Sequence, residues 1–198
     1  MYRENSRANP EHRMTGKLFV LSGPSGVGKG TLRECALSNT KNLIYSISCT
    51  TREPREGETN GVEYRFISLA EFEKGIQQNL FLEYARVHDN YYGTLKSDVI
   101  DQLNAGKNVL LEIDVQGALQ IRAKIPEAIL IFIAPPSIKE LENRLINRHT
   151  ESQESLSLRL ANAAKELELS GQYDYVIVNA DLDKASLKLR ELIEKNGA

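Results

Sequence analysis

The sequence predicts an α/β protein built on a P-loop core. A parallel five-stranded sheet is flanked by helices and carries an inserted mixed α/β subdomain and a helical lid. Three observations predict it. Short apolar runs alternate with helical patterns, the mark of right-handed strand–helix–strand units. The runs are apolar at successive positions, as strands covered on both faces are. A glycine-rich loop joins the first run to the first helix.

The chain opens with "MYRENSRANPEHRMTG". This polar stretch has no apolar segment of secretory type, and residues 1–16 are expected to be a disordered tail. Met14 is an alternative start. The five expected strands are Leu18–Leu21, Leu43–Ile47, Val109–Ile113, Ile129–Ala134 and Tyr175–Val178. A helix over Thr31–Leu37 follows the glycine loop. Residues 48–95 break the rhythm with a turn-rich stretch, "TREPREGETNG", short aromatic runs and a small helix capped by Ser68 and Glu71. They are expected to form the inserted subdomain. Helices then follow over Lys96–Ala105, ended by Gly106, and Val115–Lys124, ended before Pro126. Ser137–Arg148 starts after Pro135-Pro136 with Ser-x-x-Glu, Ser137 to Glu140, a capping box. Residues 138–155, dense in Arg, Asn, Glu and Ser, are the expected lid. Helices over Gln153–Leu169 and Leu182–Lys195 complete the chain. Residues 17–47, 96–137 and 156–198 are thus the core.

The 198 residues carry a net charge of -2. That balance calls for neither a nucleic-acid duplex nor an anionic membrane as partner. No run approaches the ~20 apolar residues of a membrane span. The two cysteines, Cys35 and Cys49, build no disulfide framework and fit a reducing cytoplasm. His12, His88 and His149 have no metal-ligand spacing.

"GPSGVGK", Gly23, Pro24, Ser25, Gly26, Val27, Gly28 and Lys29, matches G-x-x-x-x-G-K between a strand and a helix. Glycines let successive N–H groups point at one anion, and the helix adds its positive end. Lys29 supplies a charge for outer phosphates, so the phosphates of a nucleotide are the expected guest. Gly30 stands where the pattern asks for Ser or Thr, and Thr31 brings a hydroxyl one residue late. Mg²⁺ is expected to be held through water, with Thr31, Glu112 or Asp114 near it; no direct ligand is assigned.

Arg52 and Arg55 flank Pro54. Two guanidiniums in a stiffened loop fit a phosphate monoester, with Tyr64 and Tyr92 as phenolic donors. Glu53, Glu56 and Glu58 equally fit a solvated charged loop, and spacing alone leaves both readings open. Glu83, between Leu82 and Tyr84, decides more. A buried carboxylate needs donors, and guanine offers N1–H and N2–H₂ on one edge where adenine offers an acceptor. Ser48 or Thr94 would donate to guanine O6. The other reading of Glu83 is an edge residue facing water.

The motifs "SGPSGVGKGTL", "TTREPREGE", "GVEYRF", "FLEYARV", "NYYGT", "LEIDVQGA" and "DYVIVNADLDKA" together resemble the guanylate kinases, from Lys17 to about Lys195. The resemblance implies GMP contacts at Ser48, Arg52, Arg55, Glu58, Tyr64, Glu83, Tyr92 and Thr94. It also implies a monophosphate subdomain and a lid that close on the core. His149, where such kinases have glycine, and Asp89 depart from the pattern.

Glu112 and Asp114 end a strand on one face. Asp114, nearer the carboxyl end, is the better candidate for GMP or the incoming phosphate, and it is equally a helix N-cap. Arg144 and Arg148 share a helix face, and Arg159 sits beside the stripe Leu156, Leu160, Ala163 and Leu167. Taken alone they fit cations converging on a transferred phosphate and ordinary surface arginines equally; the resemblance gathers them on the transferred phosphate, with Lys29 and Arg52 as the other catalytic cations. It also sets Asn179 beside adenine. Leu158 and Leu169, off the stripe, are candidates for a subunit contact. The oligomeric state stays open. The expected reaction is MgATP plus GMP to ADP plus GDP. The rivals are a kinase for AMP or UMP and an interaction module without catalysis.

Overall fold

The computed structural model describes residues 14–87, 89–147 and 153–197. Its main sheet holds β1 (Leu18–Ser22), β2 (Leu43–Tyr45), β7 (Asn108–Glu112), β8 (Ile129–Ala134) and β9 (Tyr175–Val178). The order is β2-β7-β1-β8-β9, and all pairs are parallel. The five expected strands are these five. β2 stops at Tyr45, two residues short of the expected Ile47.

Alternation within each strand sends apolar side chains both ways. Leu18 and Val20 of β1, Val109 and Leu111 of β7, and Leu130 and Phe132 of β8 join one core. Phe19, Leu21, Leu110, Ile131 and Ile133 join the other. Helices α3 (Lys96–Asn104) and α4 (Val115–Lys124) cover the first face. Helices α1 (Lys29–Asn39), α5 (Ile138–Ile146), α6 (Gln153–Glu168) and α7 (Leu182–Asn196) cover the second. This is why the strands read as unbroken apolar runs.

A second sheet, of four strands, lies within residues 49–95. It holds β3 (Cys49–Thr50), β4 (Arg65–Phe66), β5 (Phe81–Val87) and β6 (Asn90–Leu95) in the order β4-β3-β6-β5. Helix α2 (Leu69–Gln77) covers one side, and its Ser68–Glu71 capping box is complete. Phe72 of α2 stacks on Phe81 at 4.3 Å between ring centres and on Tyr91 at 5.2 Å. β5 carries one extra residue. Phe81 pairs with Leu95 and Glu83 with Thr94, so Leu82 is a bulge. In a regular strand residues 81 and 83 would share a face. The bulge turns Phe81 to Phe72 and Glu83 to the other side.

Elsewhere local signals hold with adjustments. Ser137 caps α5 through the Glu140 amide, but the Glu140 carboxylate turns to Arg144. That is half of the expected capping box. Leu169 packs against the core, whereas Leu158 is exposed. Of the two candidate contact leucines only Leu158 is on the surface. Arg148, His149, Thr150, His88, His12 and residues 1–13 lie outside the described residues. Residues 14–16, expected as the end of a disordered tail, are instead held: the Gly16 amide and Thr15 Oγ donate to the Leu103 carbonyl at 2.9 and 3.3 Å, and Met14 packs against the core.

Candidate active site

β1 pairs Leu21 with Glu112 on one side and Ser22 with Phe132 on the other. The glycine loop leaves the carboxyl end of this central strand, where open α/β sheets hold ligands. Gly23 has φ +140°, and a Cβ there would lie 2.2 Å from the Ile133 carbonyl oxygen of β8. Gly28, the N-cap of α1, has φ +95°. Only glycine takes these two positions without strain. Lys29 Nζ lies across the loop, donating to the carbonyls of Gly23 and Pro24.

A cavity of about 400 Å³ opens here. The loop contributes Gly23, Ser25, Gly26, Gly28, Lys29, Gly30 and Thr31; Pro24 and Val27 turn away from it, with Val27 wholly buried in the core. The inserted segment contributes Ser48, Arg52, Arg55, Glu58, Tyr64, Glu83 and Tyr92. The sheet end contributes Glu112, Ile113 and Asp114. Residues more than 140 positions apart in the chain thus face one space.

Arg52 is held by both oxygens of Glu58, each 2.9 Å from Nη2, and by the Glu53 carbonyl at 2.7 Å. Glu58 also accepts from the Arg55 amide at 2.8 Å. Burial alone would raise the Glu58 carboxyl; the Arg52 guanidinium and the Arg55 amide outweigh it and hold it below the ordinary range. Tyr64 lies beside Tyr92, ring centres 5.8 Å apart, with the Arg52 guanidinium over the Tyr64 ring. Burial pushes the Tyr64 phenol well up, so it stays a proton donor.

Glu83 is 2% exposed, which removes the reading of an edge residue facing water. Its Oε1 accepts from Thr94 Oγ at 2.6 Å. The hydroxyl expected to face a base oxygen is therefore spent on the acid, and Ser48 is the one of the pair that lines the cavity. Burial pushes the Glu83 carboxyl up to about 7, Thr94 opposing and Asp114 adding to the rise.

Asp114 is the expected helix N-cap and also stands at the cavity. Its Oδ1 caps α4 through the Gly117 amide at 2.9 Å. Glu112 is gripped by Arg33 Nη1 at 3.1 Å. Glu166, which sequence reasoning missed, reaches the cavity from α6; burial raises its carboxyl against the pull of Lys29. Its signal was the seven-residue step from Arg159, two turns along one helix face.

The remaining candidates stand beside the cavity. Arg159 Nη1 is 3.3 Å from Ser25 Oγ. Arg144 donates to the Asn179 carbonyl at 3.0 Å and to Glu140 at 3.1 Å. The Asn179 amide does not line the cavity; its Nδ2 donates to the Val27 carbonyl at 2.8 Å and braces the loop from behind.

Residues 15–196 match the family described as Guanylate kinase. The chain belongs to the guanylate kinase family. It is 52% identical to the guanylate kinase of Clostridium tetani over 90% of this chain and 85% of that protein. It is 48% identical to that of Caldanaerobacter subterraneus over 90% and 86%. The crystal structure of guanylate kinase from Anaplasma phagocytophilum superposes with a TM-score of 0.76 at 33% identity, covering 92% of this chain and 86% of that one. The guanylate kinase relationship spans both sheets.

Proposed function

We propose that this guanylate kinase transfers the γ-phosphoryl group of ATP to the phosphate of GMP, giving ADP and GDP. One observation carries the reading: the glycine loop and the Arg52–Tyr64–Glu83 group line a single cavity. A GMP phosphate oxygen attacks the γ-phosphorus as the bond to the bridging oxygen of ADP breaks. The acceptor is itself a phosphate oxygen, so no nucleophilic side chain is needed, and catalysis is positioning and charge neutralisation.

The loop amides from Gly23 to Thr31, with Lys29, hold the ATP phosphates. Arg52, Arg55, Tyr64 and Tyr92 hold the GMP phosphate, with Glu58 setting the arginine loop. Glu83 accepts from guanine N1–H and N2–H₂, Ser48 donates to O6, Thr94 steadies the acid, and Asp114 faces the bound nucleotide. Arg144, Arg148 and Arg159 neutralise the migrating group, and Asn179 serves the ATP side by bracing the loop. Residues 48–95 form the GMP-binding subdomain and 138–155 the lid, closing on the core formed by 17–47, 96–137 and 156–198. Closure excludes water.

The oxygen donors of Glu112, Asp114 and Thr31 suit Mg²⁺, a hard cation that keeps several waters. Among the described residues no cluster of three or more acidic, His or Cys groups is built to hold a metal. Oxygen donors at the cavity wall fit a Mg²⁺ held chiefly by phosphate and water, which would supply positive charge to the phosphates. A cytoplasmic enzyme of purine nucleotide turnover is the finer reading, supported by the two free thiols. Among the described residues no helix is long and apolar enough to cross a membrane.

The test is ADP release with GMP, AMP, UMP and dTMP supplied singly. Release with GMP alone is expected. Equal release with AMP or UMP would remove the base-reading role of Glu83, and no release with any would favour an interaction module.

A further inference from the structure

Helix α4 carries a glycine at its third residue, Gly117, buried against β5. Its backbone does not require one: the positive-φ glycines are Gly23, Gly26, Gly28, Gly57, Gly61 and Gly106. Alanine is the better helix former. What a side chain would meet is specific. An added Cβ would stand 2.2 Å from Glu83 Oε2, 3.0 Å from Glu83 Cδ and 3.2 Å from Asp114 Oδ1. These nearest atoms all belong to the two acids at the cavity end of the helix, and no backbone atom is among them.

We propose that Gly117 is a positioning residue for base selection: the missing side chain forms a notch that seats the Glu83 carboxylate at the angle that meets the guanine edge. The proposal rests on the reading of Glu83 given above. The carboxylate is held from two sides. Thr94, itself wholly buried, donates to Oε1, and the Gly117 Cα backs Oε2. A methyl group at 117 must be relieved by a shift of about 1 Å to reach ordinary contact distance. The group that yields is the end of a flexible side chain, and the open side for it is the cavity that Glu83 lines. The displaced acid then occupies the place of the purine edge, while the loop that holds ATP is untouched. A residue that spoils specificity without harming the fold is the outcome this geometry dictates.

The experiment compares Gly117→Ala, Glu83→Gln and the double variant by steady-state kinetics and thermal melting. For G117A the KM for GMP is expected to rise at least tenfold, with the KM for MgATP within twofold of wild type and the melting temperature unchanged or higher. The double variant is expected to be little worse than E83Q alone, because both changes act on the same carboxylate. A normal KM for GMP in G117A beside an impaired E83Q overturns the notch and leaves the base reading standing. A normal KM for GMP in E83Q overturns both. A melting temperature lowered by more than about 5 °C in G117A also overturns the notch, since the backbone and not the acid would have yielded.

Discussion

Arg52 Nη2 stands 2.9 Å from both carboxylate oxygens of Glu58, and the same carboxylate takes the Arg55 amide. One acid therefore fixes the reach of the first arginine and the turn that presents the second. Removing it with Glu58→Ala is expected to raise the KM for GMP about 10- to 100-fold, the equivalent of the ~1.5–3 kcal/mol of a hydrogen bond to a charged group. The KM for ATP should stay within twofold. Initial-rate kinetics with each substrate varied check both numbers.

Glu83 is expected to set an acid-side limit on the enzyme. Its carboxyl is pushed up to about 7 by burial and by Asp114, the N-cap of α4, against Thr94 on β6 and Lys124 at the far end of α4. Guanine needs the ionised form. Below pH 7 the acid holds a proton that GMP must displace, so kcat/KM for GMP is expected to fall about tenfold per pH unit on acidification. The stability contribution has the opposite sense. A carboxyl raised in the folded state binds its proton more tightly there than when unfolded. Stability from this group is therefore present at low pH and lost as pH rises from 4.5 to about 7. Glu83→Gln should flatten the acidic limb of the kinetic profile and melt higher than wild type at pH 8. An unchanged acidic limb would assign the limit to another group.

Gly30 has room that its position does not use. The nearest atom to an added Cβ is Glu112 Oε2 at 4.0 Å, and the residue is not among those with positive φ. Gly30→Ser is expected to fold normally and to gain about 0.5 kcal/mol from helix propensity. The new hydroxyl would sit between the loop and Glu112, so half-maximal activity should need less Mg²⁺. Thermal melting and a Mg²⁺ titration of the rate read the two effects separately.

Phe72 is the buried centre of the second sheet, stacked on Phe81 and Tyr91. Phe72→Ala should cost about 3–5 kcal/mol, as loss of a fully buried ring does. That cluster is separate from the two that enclose the main sheet. GMP binding should therefore fail before ATP binding does. Calorimetric titration of each nucleotide against increasing urea checks the order of loss.

How much of this was legible in the sequence follows from distance along the chain. The main strands were readable because both faces of each are apolar, so Val109–Leu111 and Ile129–Ile133 announce themselves. Their order was not, since pairing β1 with β7 is a choice among partners about 90 residues away. β3 and β4, two residues each, exist only through their partners. At the site, Arg52, Tyr64, Glu83 and Asp114, which side-chain chemistry singled out, line one cavity. It did not show that Asn179 Nδ2 would donate to the Val27 carbonyl or the Thr94 hydroxyl to Glu83. A motif gives a residue's type; it does not say which neighbour claims its hydrogen bonds first.

The bulge at Leu82 has a consequence for how base preference can change. Point substitution alters what residue 83 is, whereas only insertion or deletion alters which way it looks. Take one residue out of the strand between the acid and the turn into β6 and the acid swings to the aromatic side, with a neighbour left staring into the nucleotide chamber. An alignment that slides one position across this strand equates side chains from opposite walls. Swapping the purine that this kinase favours thus has two independent dials, the letter written at the position and the count of residues from there to the turn.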